Sequence, residues 1–209
     1  MRKQKIITEL DDFMKSNYPH YNPVDWMQII ERYANKAGKY PLCKCPGVWI
    51  TEHELTTITG IRDKVLERLA FTLLCLAKFR NFRNSNNNNW VSNDDGEIYK
   101  LARITTSAFD KGIRFNKLRE LGLIEFAKKV DNLNIQVLFV EDDSDNVLFV
   151  SDFRELGNEY RLYKGEKYIY CSDCGILVKN TNGKRKYCKE CAAKIDKQKA
   201  LNRYYKSKK

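Results

Sequence analysis

Four cysteines near one end of the chain carry the clearest chemical signal. Cys171, Cys174, Cys188 and Cys191 stand as C-x2-C-x13-C-x2-C. Two residues between the members of a pair let both sulfurs turn toward one ion, and two such pairs form a tetrahedral thiolate set suited to a single Zn²⁺. Four sulfurs fill the coordination sphere, so the expected ion is structural rather than catalytic. Gly175, directly after Cys174, suits a tight metal-binding turn because glycine tolerates positive φ. The odd total of seven cysteines and the paired spacing favour thiolate–metal chemistry in a reducing cytoplasm over disulfides. The segment has almost no apolar core of its own, so its folding should depend on the metal.

Charge concentrates in the same place. Residues 161–209 hold 15 Lys/Arg against 4 Asp/Glu, whereas residues 1–160 hold 23 of each sign, so the whole excess of +11 lies in the last quarter of the chain. A local surplus of this kind favours a polyanionic partner, nucleic acid before an anionic membrane. Lys184, Arg185 and Lys186 precede the second cysteine pair, and Lys194, Lys197, Lys199, Arg203 and Lys206 follow it. Tyr204 and Tyr205 interleave with the cations and can stack on bases. Such a tail contributes phosphate contacts, which carry affinity but little sequence information. The bland alternative is a solvated tail.

Other residues with chemical potential have simpler explanations. Cys43 and Cys45, with His20 and His53, offer four ligand types, but C-x-C is a poor zinc spacing and both histidines are distant, so loop cysteines are expected. Cys75 lies in an apolar helix pattern and reads as core. The acidic run Glu141–Asp145 lacks the glycine and terminal glutamate of a calcium loop and reads as a hairpin turn. No nuclease or hydrolase constellation is visible, so an enzyme is not expected. No run of about 18 apolar residues exists to form a transmembrane helix. The opening MRKQKIITELDD turns acidic before any apolar stretch develops, unlike a secretory signal. The expected location is therefore the cytoplasm, with no membrane partner.

The elements that must position these groups can be placed from periodicity and caps. Ile6, Ile7, Leu10, Phe13 and Met14 have helical spacing over 4–16, ended by Asn17-Tyr18-Pro19. Asn22 and Pro23 open a second helix that stops at Gly38. Residues 39–50 read as loop with a short strand. Thr51 and Glu54 make a capping box for a helix over 52–58, and a strongly apolar helix over 61–80 is the expected core. Seven asparagines between 81 and 93 mark a surface loop. A helix over 97–104 and a turn at Thr105-Thr106-Ser107 follow, with Ser107 and Asp110 capping the next helix, which ends at Gly122. Strands are expected from Leu123, over Ile135–Val140 after a turn at Asp131–Asn134, and over Val147–Val150. RELG occurs at 119–122 and again at 154–157, both read as helix ends closed by glycine.

Helix, turn, helix and β-hairpin is the order of a winged helix-turn-helix, and SAFDKGIRFNKLRELGLIEF resembles the recognition helix and first wing strand of that superfamily. Gly112 inside the recognition helix departs from a good helix former, at about 1 kcal/mol relative to alanine. The resemblance implies nucleic-acid contacts from Thr106, Ser107, Lys111, Arg114, Lys117 and Arg119, with Lys128 and Lys129 at the wing. The cysteine segment reads as a knuckle, a strand at Ile176-Leu177-Val178, a hairpin turn at Thr181-Asn182-Gly183, a return through Arg185-Lys186-Tyr187, and a second pair opening a basic helix. That order resembles a treble-clef zinc finger, and a helix N-terminus also favours thiolate.

The expected architecture is α+β and mostly helical: an N-terminal helical region (1–50), a winged-helix-like domain (51–160) and a small zinc-binding module with a basic helix (161–209). With its Asn/Lys/Ile/Tyr-rich composition and the segment YCKECAAK (187–194), the whole chain resembles small accessory proteins of phages and mobile elements of low-GC Gram-positive bacteria. It reads as a nucleic-acid-binding regulator or replication accessory factor, DNA ahead of RNA, with homodimerisation open. The alternative is an interaction protein whose winged helix contacts a host protein complex while the tail touches its nucleic acid. A continuous basic face on 107–119 would favour DNA docking, and an apolar one a protein partner.

Overall fold

The computed structural model describes residues 2–18, 20–37, 45–128, 134–141, 145–181 and 183–206. The chain divides into two compact units, Met1–Lys44 and Cys45–Lys209. The first is a helical pair, α1 (Arg2–Asn17) and α2 (Pro23–Lys36). As the sequence pattern predicts, Asn22 caps α2 by accepting the Val24 N–H, and Pro23 occupies the first helical position. Ile7, Ile30 and Ala34 are buried between the helices, with Ile6, Leu10, Tyr21 and Met27 packed around them. Pro19, Gly38 and Cys43 lie outside the described residues.

The second unit is built around one helix. β1 (Val48–Thr51) leads into α3 (Glu52–Thr59), then α4 (Lys64–Arg83). Asp63 caps α4 by accepting from the N–H groups of Val65 and Leu66. Leu69, Ala70, Phe71, Leu73, Leu74, Cys75 and Ala77 are buried on every side of α4, as expected of a helix enclosed by its neighbours. Those neighbours are α3, α5 (Asp95–Leu101), α6 (Ala108–Glu120) and α7 (Leu156–Tyr163).

The capping box at Thr51 forms in full and does a second job. The Glu54 carboxylate, wholly buried, accepts from the Thr51 N–H at 2.8 Å, the Glu141 N–H at 2.8 Å and the Lys78 ammonium at 2.8 Å. It therefore ties the start of α3 to α4 and to the chain entering β5. A buried carboxylate left without these partners would cost several kcal/mol.

Among the described residues, three small antiparallel sheets complete the unit. β2 (Trp90–Val91), β4 (Ile135–Val137) and β3 (Ile124–Phe126) form one in the order β2-β4-β3. β1 pairs with β5 (Asn146–Val150), bringing Val48 opposite Val150 and Trp49 opposite Phe149. β6 (Tyr168–Tyr170) pairs with β7 (Leu177–Lys179).

Two strand expectations are corrected. The strand at 146–150 does not extend the wing. β4 already has β2 on one edge and β3 on the other, so it offers no free edge, and β5 closes on β1 instead. β4 also ends at Val137, because the Leu138 N–H turns to the Leu123 carbonyl. The asparagine-rich stretch is not merely a loop. Asn81 Oδ1 accepts from the Asn89 N–H and from Asn87 Nδ2, and Asn87 also donates to the Trp90 carbonyl. Asn88 and Asn89 occupy the left-handed region that asparagine tolerates. The side-chain amides thus guide the chain into β2. Residues 131–133, within the expected wing turn, and 142–144, within the acidic turn, lie outside the described residues.

The two RELG segments are different objects. Gly122, at φ +71°, closes α6 as expected. Gly157 instead lies at the start of α7, where a Cβ would meet the Ala102 carbonyl oxygen at 1.9 Å. The absent side chain lets α7 press directly on the backbone that follows α5. Beside it, Glu155 is ion-paired with Arg103 and accepts from Asn158 Nδ2.

Candidate metal centre and basic surfaces

The β6–β7 hairpin is the scaffold of the first cysteine pair. Its turn is the run Cys171–Ile176: the Cys171 N–H donates to the Ile176 carbonyl, and the Gly175 N–H donates back to the Cys171 carbonyl, both at 2.9 Å. Gly175 has φ +71°, the left-handed conformation the turn requires. The second pair straddles the start of α8 (Lys189–Lys206): Cys188 precedes it and Cys191 lies in its first turn. The Cys188 N–H points at Cys171 Sγ at 3.2 Å and the Cys191 N–H at Cys188 Sγ at 3.3 Å, so backbone dipoles converge on sulfur.

All four Sγ atoms lie within 4.8 Å of one another, and Cys174 and Cys188 are 3.8 Å apart. A regular tetrahedron with metal–sulfur bonds of about 2.3 Å has edges of about 3.8 Å. The sulfurs are therefore spaced to hold one ion. Cys171, Cys188 and Cys191 are buried, and Ile176, Val178 and Tyr187 pack around them. N–H donation, first from Cys174, holds the Cys171 thiol down to about 6. Cys191, facing the Asp173 carboxylate and then Cys188, is pushed well above the ordinary thiol range.

The four cysteines thus come together as a possible metal site, but the local topology differs from the expected one. Strand Leu177–Lys179 pairs backward with Tyr168–Tyr170, not forward with Arg185–Tyr187, so the hairpin turn is the cysteine loop rather than the Thr181–Gly183 segment. Arg185 explains the difference: its guanidinium donates to the Lys179 and Tyr187 carbonyls and braces the return segment as an irregular loop. Asn182 lies outside the described residues.

The predicted basic residues fall into distinct environments. Lys184, Arg185 and Lys186 are exposed on the loop before α8, and Lys194, Lys197, Lys199 and Arg203 are exposed on α8 itself. From Asp196 to Tyr205 every residue of α8 is exposed, Leu201, Tyr204 and Tyr205 included. At about 100° per residue, Lys199 and Arg203 lie on one side of the helix. Lys194 and Lys197 share the other with Leu201 and the two tyrosines. The side chain of Lys206 and all of Lys129 lie outside the described residues.

On α6 the picture is mixed. The helix runs unbroken through Gly112, whose surroundings are open. Ser107 caps it by accepting the Asp110 N–H, and the hydroxyls of Ser107 and Thr106 both donate to the Asp110 carboxylate. Lys111 lies over the Tyr99 ring, 3.5 Å from Asp95. Arg114 is half-buried. Lys117, Arg119 and Lys128 are exposed, with Arg119 over the Phe126 ring. The outward stripe also holds Phe109, 78 % exposed, and Ile113, 38 % exposed. Their four-residue spacing places both off the face of the buried Phe115 and Leu118, which was the available signal of their exposure.

Among the described residues, the four cysteines are the one group of three or more candidate ligands whose donor atoms come together. Cys45 contacts the Gly47 carbonyl, His53 pairs with Glu141 at 2.6 Å, and Cys75 is buried on α4. No helix among those residues is long and apolar enough to cross a membrane. Comparison with known proteins yields no relative: no family model, curated protein or solved structure matches the chain.

Proposed function

We propose that this chain binds nucleic acid, DNA in preference to RNA, through a Zn²⁺-ordered module and the basic helix that grows from it. The observation that carries the reading is the bare outer part of α8. Residues 196–205 are exposed throughout, yet they carry cations on two sides of the helix, Lys199 with Arg203 on one and Lys197 beside the two tyrosines on the other. Such a helix can meet the phosphates of both groove walls and stack a ring on an unpaired base. Zinc is the ion of choice for four thiolates at this spacing, and its role is to hold α8 on the β6–β7 hairpin.

The body supplies a second surface. The run α4, β2, α5, α6, β3, β4, with pairing order β2-β4-β3, supports a winged helix-turn-helix with α6 as its presented helix. Phe109 and Ile113 favour a protein partner for that helix over bare phosphates. In this second reading α6 engages a protein of a nucleoprotein complex while α8 holds the nucleic acid. The resemblance to accessory proteins of phages and mobile elements points to regulation of transcription or replication in the cytoplasm.

The test is a salt titration of binding to duplex DNA, single-stranded DNA and RNA, with the full chain and a Lys197→Glu/Lys199→Glu/Arg203→Glu variant. The reading expects affinity to fall steeply between about 50 and 200 mM salt, and the variant to lose at least about tenfold with a shallower slope. Equal binding by the variant, or none by the native chain at low salt, overturns it.

A further inference from the structure

We propose that the cleft between α7 and the cysteine module is a phosphate-binding site for a nucleotide or a phosphodiester. The cleft has a volume of about 510 Å³, inside the range of about 300–1,000 Å³ typical of small-ligand sites, and Cys174, Cys188 and Cys191 form one wall, so that volume includes the flank of the cysteine cluster. Six cations line it: Arg154 and Arg161 from the body, and Lys179, Arg185, Lys189 and Lys194 from the module. A seventh, Arg103, is committed to Glu155. Of the lining carboxylates, Glu155 is thus engaged, which leaves Glu190 to oppose the rest.

The guanidiniums are held in place by neutral or local acceptors. Arg161 Nη1 donates to Asn158 Oδ1 and to the Tyr168 hydroxyl, and its Nε lies 3.9 Å from the Glu166 carboxylate. Arg154 is anchored by Asp152 and donates to the Cys174 carbonyl. Arg185 is anchored by the Lys179 and Tyr187 carbonyls. Each fork has five N–H donors and these contacts use two or three, so fixed donors remain for a ligand. Lys179, Lys189 and Lys194 have no carboxylate within ion-pair reach among the described residues, and they bring three mobile charges to the rim. Immobilised forks plus unspent ammonium groups suit a multiply charged tetrahedral oxyanion better than a single carboxylate. Lys189 and Lys194 also belong to α8, so the cleft opens onto the bare basic helix.

The site deepens the nucleic-acid reading and rests on it for the source of the phosphate, though not for its chemistry. The test uses the full-length, metal-loaded protein and two variants of equal charge change: Lys179→Glu/Lys194→Glu in the cleft and Lys199→Glu/Arg203→Glu on outer α8. Calorimetry with inorganic phosphate, a nucleoside monophosphate and a thymidine trinucleotide reads the cleft; a long duplex reads the whole surface. Melting temperature and metal content verify that both variants fold. The proposal expects trinucleotide or nucleotide affinity to fall at least about tenfold in the cleft variant and less than about twofold in the outer one. Nucleotide binding with no duplex binding by the native chain would keep the cleft, assign it to free nucleotide and defeat the nucleic-acid reading. Equal losses in both variants, or no binding of any small phosphate probe, would overturn the cleft whatever the duplex does.

Discussion

In the body, all nine residues of α4 from Leu69 to Ala77 are wholly or almost wholly buried, with four other helices packed around them. In the cysteine module, the buried side chains are Cys171, Cys188 and Cys191 themselves, with Tyr168 and Leu177 beside them. One region has an apolar core; the other has its candidate ligand cysteines where a core would be. The two are joined through α7, whose Arg161 and Glu159 bond Tyr168 and Tyr170 of the hairpin. Binding chemistry has collected on the weaker side, where α8 and its lysines are free to meet a partner because no core claims them.

Metal removal is the sharpest way to break this contrast. Structural zinc contributes on the order of 10–16 kcal/mol in small modules. Chelation, or Cys188→Ser, should therefore unfold β6, β7 and the start of α8 while the α3–α7 body keeps its dispersed amide spectrum. Collapse of the whole spectrum would show that the body depends on the module. A core truncation probes the other side. Leu73→Ala should cost about 2–5 kcal/mol in urea denaturation, with metal affinity unchanged; a loss of metal in the folded variant would mean the two regions share one cooperative unit. The smallest expected effect concerns α6. Hydrogen bonds from Ser107, then Thr106, hold the Asp110 carboxyl below its ordinary value. Its contribution is present above the unfolded value and is lost as pH falls through the folded one. Amide protection factors at the start of α6 should fall below about pH 4 in the native chain but not in Asp110→Asn; identical profiles would remove Asp110 as the cause.

Local signals in the sequence survived and long-range ones did not. Thr51/Glu54, Asn22 with Pro23, and Ser107/Asp110 all cap the helices they announce, because a cap is satisfied within four residues. The four cysteines likewise declare a site through their own spacing. The partner of a strand is different: Val147–Val150 alternates just as a wing strand would, and only the occupied edges of β4 send it to β1. Gly157 looks the same as Gly122 in its four-letter context, and only the approach of Ala102 tells them apart. Arg154 and Arg161 gave no local hint of the cleft, since their neighbours lie on a module whose strands pair in an unexpected direction.

The pairing of β1 with β5 also sets an order of events at the ribosome. Val48 must wait for Val150, roughly a hundred residues later, before its ladder can close. At about 5–20 residues per second that delay is several seconds. During it, the apolar VWIT segment stands with an unpaired edge while α4 already has its nearer partners. The strand that opens the second unit is therefore among the last to be secured, and the cysteine cluster, completed only when Cys191 emerges, comes after it. A chain stalled before residue 146 holds an open sheet edge, the species most exposed to misassociation.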